Sequence, residues 1–344
     1  MALFSASTLG IDLGTSRTSV FLEGRGLCLC EPTLLLVSQN NPRDVLAVGA
    51  GAFDMLERAA NGVKVISPVV SGAVADADMV ALVILSLAEK ATGRRKPLDR
   101  LQLLASLSMG STNVERAALF SAMNTAGAKR PMVMRAPLAA AMGAGLKLDA
   151  PRGQMIVDIG AGTTEIAVIT MGGVAASATL RYGGQALDEA VARYFRREKN
   201  LIIGLRTAEE LKCDLGTAMD LTDEGESAEV SGIDAVTALP HTITATSRDV
   251  REALRETLYQ FTDAMRAVLE DTEPELAADV LENGVTLTGC GALLHRLDDL
   301  IYKDTGVTAH VARHPADCVA VGLGALAGSA RELERALLLG LIEE

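Results

Sequence analysis

The chain has 344 residues and a formal net charge of −12, and it is 49% hydrophobic but only 3% aromatic, with no Trp. This length implies two domains, or one α/β unit of two lobes, and the apolar content excludes a disordered chain. The acidic balance argues against nucleic-acid partners, whose phosphates it repels, and the core has to be built from Ala, Leu, Val, Ile and Met.

In chain order, Leu9–Gly14 and Ser19–Leu22 read as a hairpin joined by a Gly/Thr turn, and Thr33–Val37 and Val45–Val48 as a second strand pair with its turn at Asn40-Asn41-Pro42. Residues 76–91 are helical, capped by Asp76 or Asp78, and Arg94–Arg100 is an exposed basic loop. Leu101–Leu107 is a buried strand, Asn113–Ala126 a helix capped by Thr112 or Asn113, and Ala136–Leu146 a small-residue helix with Pro137 at its start. Met155–Ile159 and Glu165–Thr170 form another strand-turn-strand. Asp188–Glu198 and Thr207–Leu215 are helices, and 217–247 is a small sheet. Asp249–Glu270 is a long amphipathic helix with Pro274 as a stop beyond it, Val285–Leu287 a strand, and the last thirty residues helical.

Cys28, Cys30, Cys213, Cys290 and Cys318 form neither a disulfide framework nor a paired metal site, which suits reduced thiols in a cytoplasmic protein. Cys28 and Cys30 alternate on one strand and are expected to share a core face, and the four histidines have no ligand spacing. Met1–Ser7 lacks the basic region and apolar run of a signal peptide, and Cys318–Ala330 is too short and Gly-rich to span a bilayer.

The most informative pattern is internal. Ile11-Asp-Leu-Gly-Thr and Val157-Asp-Ile-Gly-Ala-Gly-Thr share one design, placed once in each half of the chain. Glycines in such a turn bring several N–H groups to a ligand, a Thr hydroxyl adds a donor, and the nest suits a phosphate. The Asp upstream would repel phosphate, so its natural partner is Mg²⁺ held through water. Two such turns would clamp a polyphosphate; two ordinary polar-tipped hairpins are the alternative.

GIDLGTSRT (10–18), VDIGAGTTE (157–165) and LTGCGALLHRLD (287–298) resemble the phosphate 1, phosphate 2 and adenosine motifs of the superfamily of actin, DnaK-type chaperones and sugar kinases. The resemblance is closest to the MreB family of bacterial actins and runs along nearly the whole chain. It implies an actin-like (ribonuclease H-like) α/β fold of two lobes with ATP or ADP and Mg²⁺ in the cleft. Lobe I would take residues 1–32, 66–150 and 312–344, with a small subdomain at 33–65; lobe II would take 151–183 and 243–311, with a small subdomain at 184–242. The implied nucleotide contacts are Asp12, Gly14, Thr15, Ser16, Arg17 and Thr18 in the first turn, and Asp158, Gly160, Ala161, Gly162, Thr163 and Thr164 in the second. Asp12 and Asp158 would hold Mg²⁺ through water. Glu209 and Lys212, one helical turn apart, would meet the ribose and adenine, a surface ion pair being the alternative. Gly289, Cys290 and Gly291 would pack on the adenosine.

Three departures stand out. The family carries a Glu that orients the attacking water just before the Pro of the small-residue helix, and Ala136 stands there. A methyl group can neither take a proton nor orient water, so hydrolysis should be slow or absent, with Thr163 left to position the water. The preceding Arg135 either offsets γ-phosphate charge or faces solvent. Arg17 replaces the usual Asn and either strengthens phosphate binding or sits at a filament contact, and Cys290 replaces the middle Gly of the adenosine motif.

The resemblance implies a filament-forming cytoskeletal protein of cell shape, a homo-polymer of paired protofilaments, with the inner membrane or cell-wall and organelle proteins as further partners. Met1–Phe4 is a short apolar tip, and the 94–100 loop either favours anionic lipid or is a solvated charged loop. The alternatives are an actin that positions a cargo such as magnetosomes or a plasmid, which Ser16 and Ala161 resemble, and a chaperone-like or sugar-kinase-like ATPase.

Overall fold

Two β-sheets organise the chain, and each is built on one of the repeated hairpins. The computed structural model describes residues 8–41, 43–56, 62–220 and 225–344. The apolar tip Met1–Phe4 and Pro42 of the turn expected at 40–42 lie outside these residues. The first sheet runs in the order Ile342–Glu343, Pro131–Arg135, Gln102–Leu107, Thr8–Leu13, Arg17–Leu22, Gly26–Pro32. The second runs Ala309–Val311, Val285–Thr288, Gln154–Ile159, Thr164–Thr170, Gly173–Leu180. Apart from the edge strand Ile342–Glu343, the two orders are the same. In each, the first hairpin strand pairs antiparallel with the second and parallel with a strand that arrives much later in the chain. The sequence repeat is therefore a repeat of topology. The interior strand Gln102–Leu107 is buried at every position, as a parallel strand covered on both faces must be.

Each sheet has a core of its own. One gathers Leu9, Ile11, Val20, Val83, Ile84 and Leu103, the other Val157, Ile166, Val191, Phe195, Leu258 and Leu287. A third cluster joins them, because it takes Leu104 and Met132 from the first sheet and Ile156 and Ile169 from the second. Two helices fill it. Cys318–Ala327 lies on Thr8–Leu13 and Arg17–Leu22, Ala136–Gly143 lies on Gln154–Ile159, and the two helices pack on each other. Their contact is backbone on backbone: a Cβ on Gly322 would stand 1.8 Å from the Ala139 carbonyl oxygen. This is the close approach an aromatic-poor, alanine-rich core requires, and it forms the joint between the lobes.

Capping resolves the open choices. Asp76 caps Ala77–Thr92 by accepting from the Met79 N–H at 3.0 Å, and Thr112 forms a capping box with Glu115 at the start of Asn113–Thr125. The sequence reading differs from the structure in several places. The long helix Ser247–Glu270 does stop before Pro274, but the proline also opens a further helix, Pro274–Asn283, because proline fits the first helical turn. The C-terminus is not all helix: after Ala330–Leu338 the chain adds Ile342–Glu343 to the first sheet beside Pro131–Arg135. Cys28 and Cys30 do not share a core face. Val20 pairs with Leu29 and Phe21 with Leu27, so Cys28 is the extra residue of a bulge and Cys30 is left exposed.

Two small three-stranded sheets rise from the lobes. One is Val45–Val48, Leu35–Ser38 and Val63–Ile66; the other is Leu201–Ile202, Ser227–Asp234 and Pro240–Thr246. Their neighbourhoods meet where the Arg206 guanidinium lies 5.8 Å from the centre of the Phe53 ring. Among the described residues no helix is long and apolar enough to cross a membrane.

Candidate functional site

The two repeated turns face each other between the sheets and have the same construction. In the first, the Gly14 N–H donates to the Arg17 carbonyl at 3.1 Å; in the second, the Gly160 N–H donates to the Thr163 carbonyl at 2.9 Å. Each bond closes a four-residue turn and leaves the N–H groups at its tip, on Thr15 and Ser16 and on Ala161 and Gly162, without an acceptor among the described residues. Such convergent free donors make an anion nest. The turns also touch. A Cβ on Gly162 would lie 2.3 Å from Thr15 Oγ1, so only glycine allows this approach, and the Thr15 hydroxyl accepts from the Gly72 N–H at 2.9 Å.

Behind each turn stands its aspartate. Ser106 donates to Asp12 at 2.8 Å, and Thr288 donates to Asp158 at 3.0 Å, each hydroxyl coming from the neighbouring parallel strand. With Thr15, Gly160, Gly162, Thr163, Ala136 and Glu165 they line one cavity of about 110 Å³. Burial raises the Asp12 pKa against the opposing Ser106 bond. Burial, and then the charge of Asp12, push Asp158 up to about 6. Burial also pushes Glu165 up to about 7, with the Asp158 charge adding to it. Three desolvated carboxyl groups around one cavity repel one another and call for a cation. No group of three or more side chains forms a metal cage among the described residues. Two carboxylates without a cage fit Mg²⁺, which keeps its waters and takes its other ligands from phosphates.

The other expected site residues divide into three groups. Thr18 and Thr164 are both fully buried behind their turns: Thr18 bonds Thr33, which donates to the Gly14 carbonyl, and Thr164 donates to the Tyr182 carbonyl at 3.0 Å. They brace the turns from behind. Ser16 is exposed at the tip. Arg17 turns to the segment that leads back into the first lobe, bonding the Ala316 carbonyl and, at 3.0 Å, Asp317.

On the helix Leu205–Leu215, Glu209 is exposed, while Lys212 is committed to Asp188 at 2.6 Å and to the Gly184 carbonyl at 3.3 Å. Gly289, at φ +79, and Gly291 are dictated by Ile159 of the second turn: a Cβ on either would stand 2.2 Å from Ile159 atoms. Cys290 between them is exposed. Arg135 does not line the cavity and bonds the Ser108 carbonyl at 3.2 Å and Glu343 at 3.4 Å, while Ala136 does line it. Sequence reasoning missed Ser106, Thr288 and Glu165. The signal for Glu165 was present in strand alternation, since it pairs directly with Asp158.

The family model for MreB/Mbl protein matches residues 6–335. The chain belongs to the MreB/Mbl family. It is 37% identical to the cell shape-determining protein Mbl of Bacillus subtilis strain 168 over 93% of this chain and 96% of that one. It is 38% identical to the cell shape-determining protein MreB of Escherichia coli K12 over 93% of this chain and 92% of that one. Among solved structures, MreB5 of Spiroplasma citri bound to AMPPNP superposes with a TM-score of 0.90 at 28% identity, over 98% of this chain and 99% of that one. A MamK double helical filament superposes at 0.76 with 20% identity over 94% and 98%, a likeness of fold alone. The fold is the actin-like one of two lobes about a cleft, and the protein is a bacterial actin of the cell-shape cytoskeleton.

Proposed function

We propose that the cleft binds Mg²⁺·ATP and that closure of the lobes around it switches the subunit between poor and good assembly into filaments of paired protofilaments. The observation that carries this is the pair of matching turns, each with free N–H donors at its tip and a hydroxyl-bonded Asp behind it, facing one another across a single cavity. The S. citri relative was solved with AMPPNP and with ADP, and the MamK structure is a filament. In this reading Thr15, Ser16, Ala161, Gly162 and Thr163 hold phosphates, and Asp12 and Asp158 hold Mg²⁺ through water. The bound cation offsets phosphate charge. Glu209, Lys212 and the backbone at Gly289–Gly291 flank the ribose and base. The boundaries at 32/33, 150/151, 183/184 and 311/312 fall between the strands of the two large and two small sheets, whereas 65/66 and 242/243 cut the strands Val63–Ile66 and Pro240–Thr246, which pair within the small sheets. Ala136 keeps hydrolysis slow. Pelleting and electron microscopy with ATP, ADP and AMPPNP test this. ATP-dependent filaments are expected, and a protein that stays monomeric at high concentration with ATP overturns it.

A second observation favours a membrane surface as partner. A concavity of about 560 Å³ is lined by five basic side chains, Arg25, Arg94, Arg95, Lys96 and Arg100, against two acidic ones, Glu23 and Asp99, on a molecule of net charge −12. Leu98, the one leucine within the 94–100 loop, is 1% exposed, so apolar insertion by this loop is not available to it and the attraction would be electrostatic. Each basic residue near an anionic leaflet contributes about 1 kcal/mol. Sedimentation with anionic vesicles at low salt, abolished at high salt, is the expected result; equal binding to neutral vesicles overturns it.

A further inference from the structure

The two hairpins differ in what stands opposite the aspartate that faces the cleft. Opposite Asp12 stands Ser19, and opposite Asp158 stands Glu165. Directly paired residues project from the same face of a sheet, so the Glu165 carboxyl lies beside that of Asp158 and lines the cavity with Ala136, Thr163 and Ser108. It is 2% exposed. Its Oε1 accepts from the Met109 N–H at 3.0 Å, across the cleft from the end of Gln102–Leu107. Its Oε2 makes no hydrogen bond of normal geometry among the described residues, although the Ser108 side chain lies close enough to favour the charged carboxyl. A buried carboxylate oxygen without a donor is costly, and native folds keep such an atom where water or a ligand completes it. The residues at the start of the helix Ala136–Gly143 supply no alternative. Ala136 offers a methyl group, and Arg135 is held by Ser108 and Glu343.

Resting on the reading that the cleft binds ATP, we propose that Glu165 is the catalytic residue for hydrolysis in this chain, its Oε2 holding the water that attacks the γ-phosphorus. In that step the water oxygen bonds the γ-phosphorus while the bond from phosphorus to the β–γ bridging oxygen breaks. ADP leaves with that electron pair, and the water proton passes to Oε2 and from there to solvent. Oε1 is fixed by the other lobe through Met109, so the carboxyl is aligned only when the lobes are closed. The chemistry thereby waits for the closed subunit.

Glu165→Gln tests this, because an amide keeps the carbonyl that accepts from Met109 and nearly the same volume, yet cannot take a proton. The expected result is a fall in phosphate release on the order of 10², with affinity for a fluorescent AMPPNP unchanged and a melting temperature no lower than that of the wild type. Ala136→Glu added to Glu165→Gln should recover the rate, which repair of a merely structural defect would not do. If Glu165→Gln fails to fold, Glu165→Asp keeps the charge but withdraws it by one methylene, and a reduced rate is again expected. A wild-type rate in a folded variant that binds nucleotide overturns the proposal alone, and so does a wild type that binds nucleotide but releases no phosphate. A wild type that binds no nucleotide overturns it together with the proposed function.

Discussion

The two halves of the molecule answer one structural problem in the same way and then diverge. Both place a four-residue turn after an Asp, both secure that Asp with a hydroxyl from the next parallel strand, and both brace the turn from behind with a buried Thr. They differ in what stands opposite the Asp, a serine in the first half and a glutamate in the second. Matching ends suit a clamp, because a polyphosphate and its cation are held from both sides by similar donors. Unequal ends suit chemistry, because only one side carries a second carboxyl beside its aspartate. The comparison therefore separates holding from reacting. It assigns holding to what the halves share and reaction to what they do not.

The sharpest way to break this division is to restore a carboxylate on the other side. Ala136 lines the cavity as the first residue of its helix, where an acidic side chain is also favoured by the helix dipole. Ala136→Glu should raise phosphate release by on the order of 10²–10⁴, measured in single turnover with nucleotide binding confirmed. No increase, with nucleotide bound, would show that position 136 is not what slows the reaction. Next in size, Asp12→Asn and Asp158→Asn test whether the shared parts are equivalent. Each should weaken Mg²⁺-dependent ATP affinity by at least about tenfold, or about 1.4 kcal/mol. Each should also raise the melting temperature of the ligand-free protein, because it removes one of the crowded carboxylates. A large loss from one variant and none from the other would mean that the cation belongs to one lobe only.

The turns were readable from sequence because Gly, Asp and Thr at fixed offsets leave few conformations, and because the pattern occurs twice. The topology of the halves followed from the same repeat. The extra edge strand Ile342–Glu343 and the helix after Pro274 were not readable. A two-residue strand carries no periodicity, and a proline marks the start of a helix as readily as a stop. At the site, the long-range partners were hidden for a different reason. Ser106 and Thr288 reach the aspartates only through parallel pairing with strands distant in the chain, and local spacing does not encode that register. The basic residues were visible as types but not as contacts. Arg17 and Lys212 carry charge toward the cleft in sequence, yet in the fold Asp317 and Asp188 hold them.

A smaller effect follows from the pH dependence of the apo protein. Glu165 rises from 4.5 to about 7, and Asp158 from 3.8 to about 6. Between their ordinary values and these raised ones, the folded state binds more protons than the unfolded state. Stability should therefore fall as pH rises through this window and level off above it. The melting temperature of the nucleotide-free protein is expected to be higher near about pH 5.5 than near about pH 7.5, with Glu165→Gln reducing the slope. A melting temperature that climbs with pH across this range would mean that the carboxyl groups are solvated and the cavity is not as closed as it looks.

The smallest effect concerns what holds the halves together without a ligand. Arg181, just beyond the strand Gly173–Leu180, bonds Glu115 through two nitrogens at 2.7 and 2.9 Å, reaching from the second lobe to the helix Asn113–Thr125 of the first. That pairing, with the Thr112 N–H, holds the Glu115 pKa down to about 2. Its contribution is present above the ordinary value of 4.5 and is lost as pH falls toward about 2, opposite in sign to Glu165. The Arg181 side chain is 47% exposed, so solvent screens the pair. A double-mutant cycle of Glu115→Gln and Arg181→Gln should give a coupling of less than about 1 kcal/mol, smaller still in high salt. Gln at 115 keeps an acceptor for the Thr112 N–H, so the cycle reads the charge pair and not the helix cap. A coupling well above this would make the ion pair, and not the contents of the cleft, the main determinant of lobe closure. A small one leaves closure to whatever fills the space between the two turns.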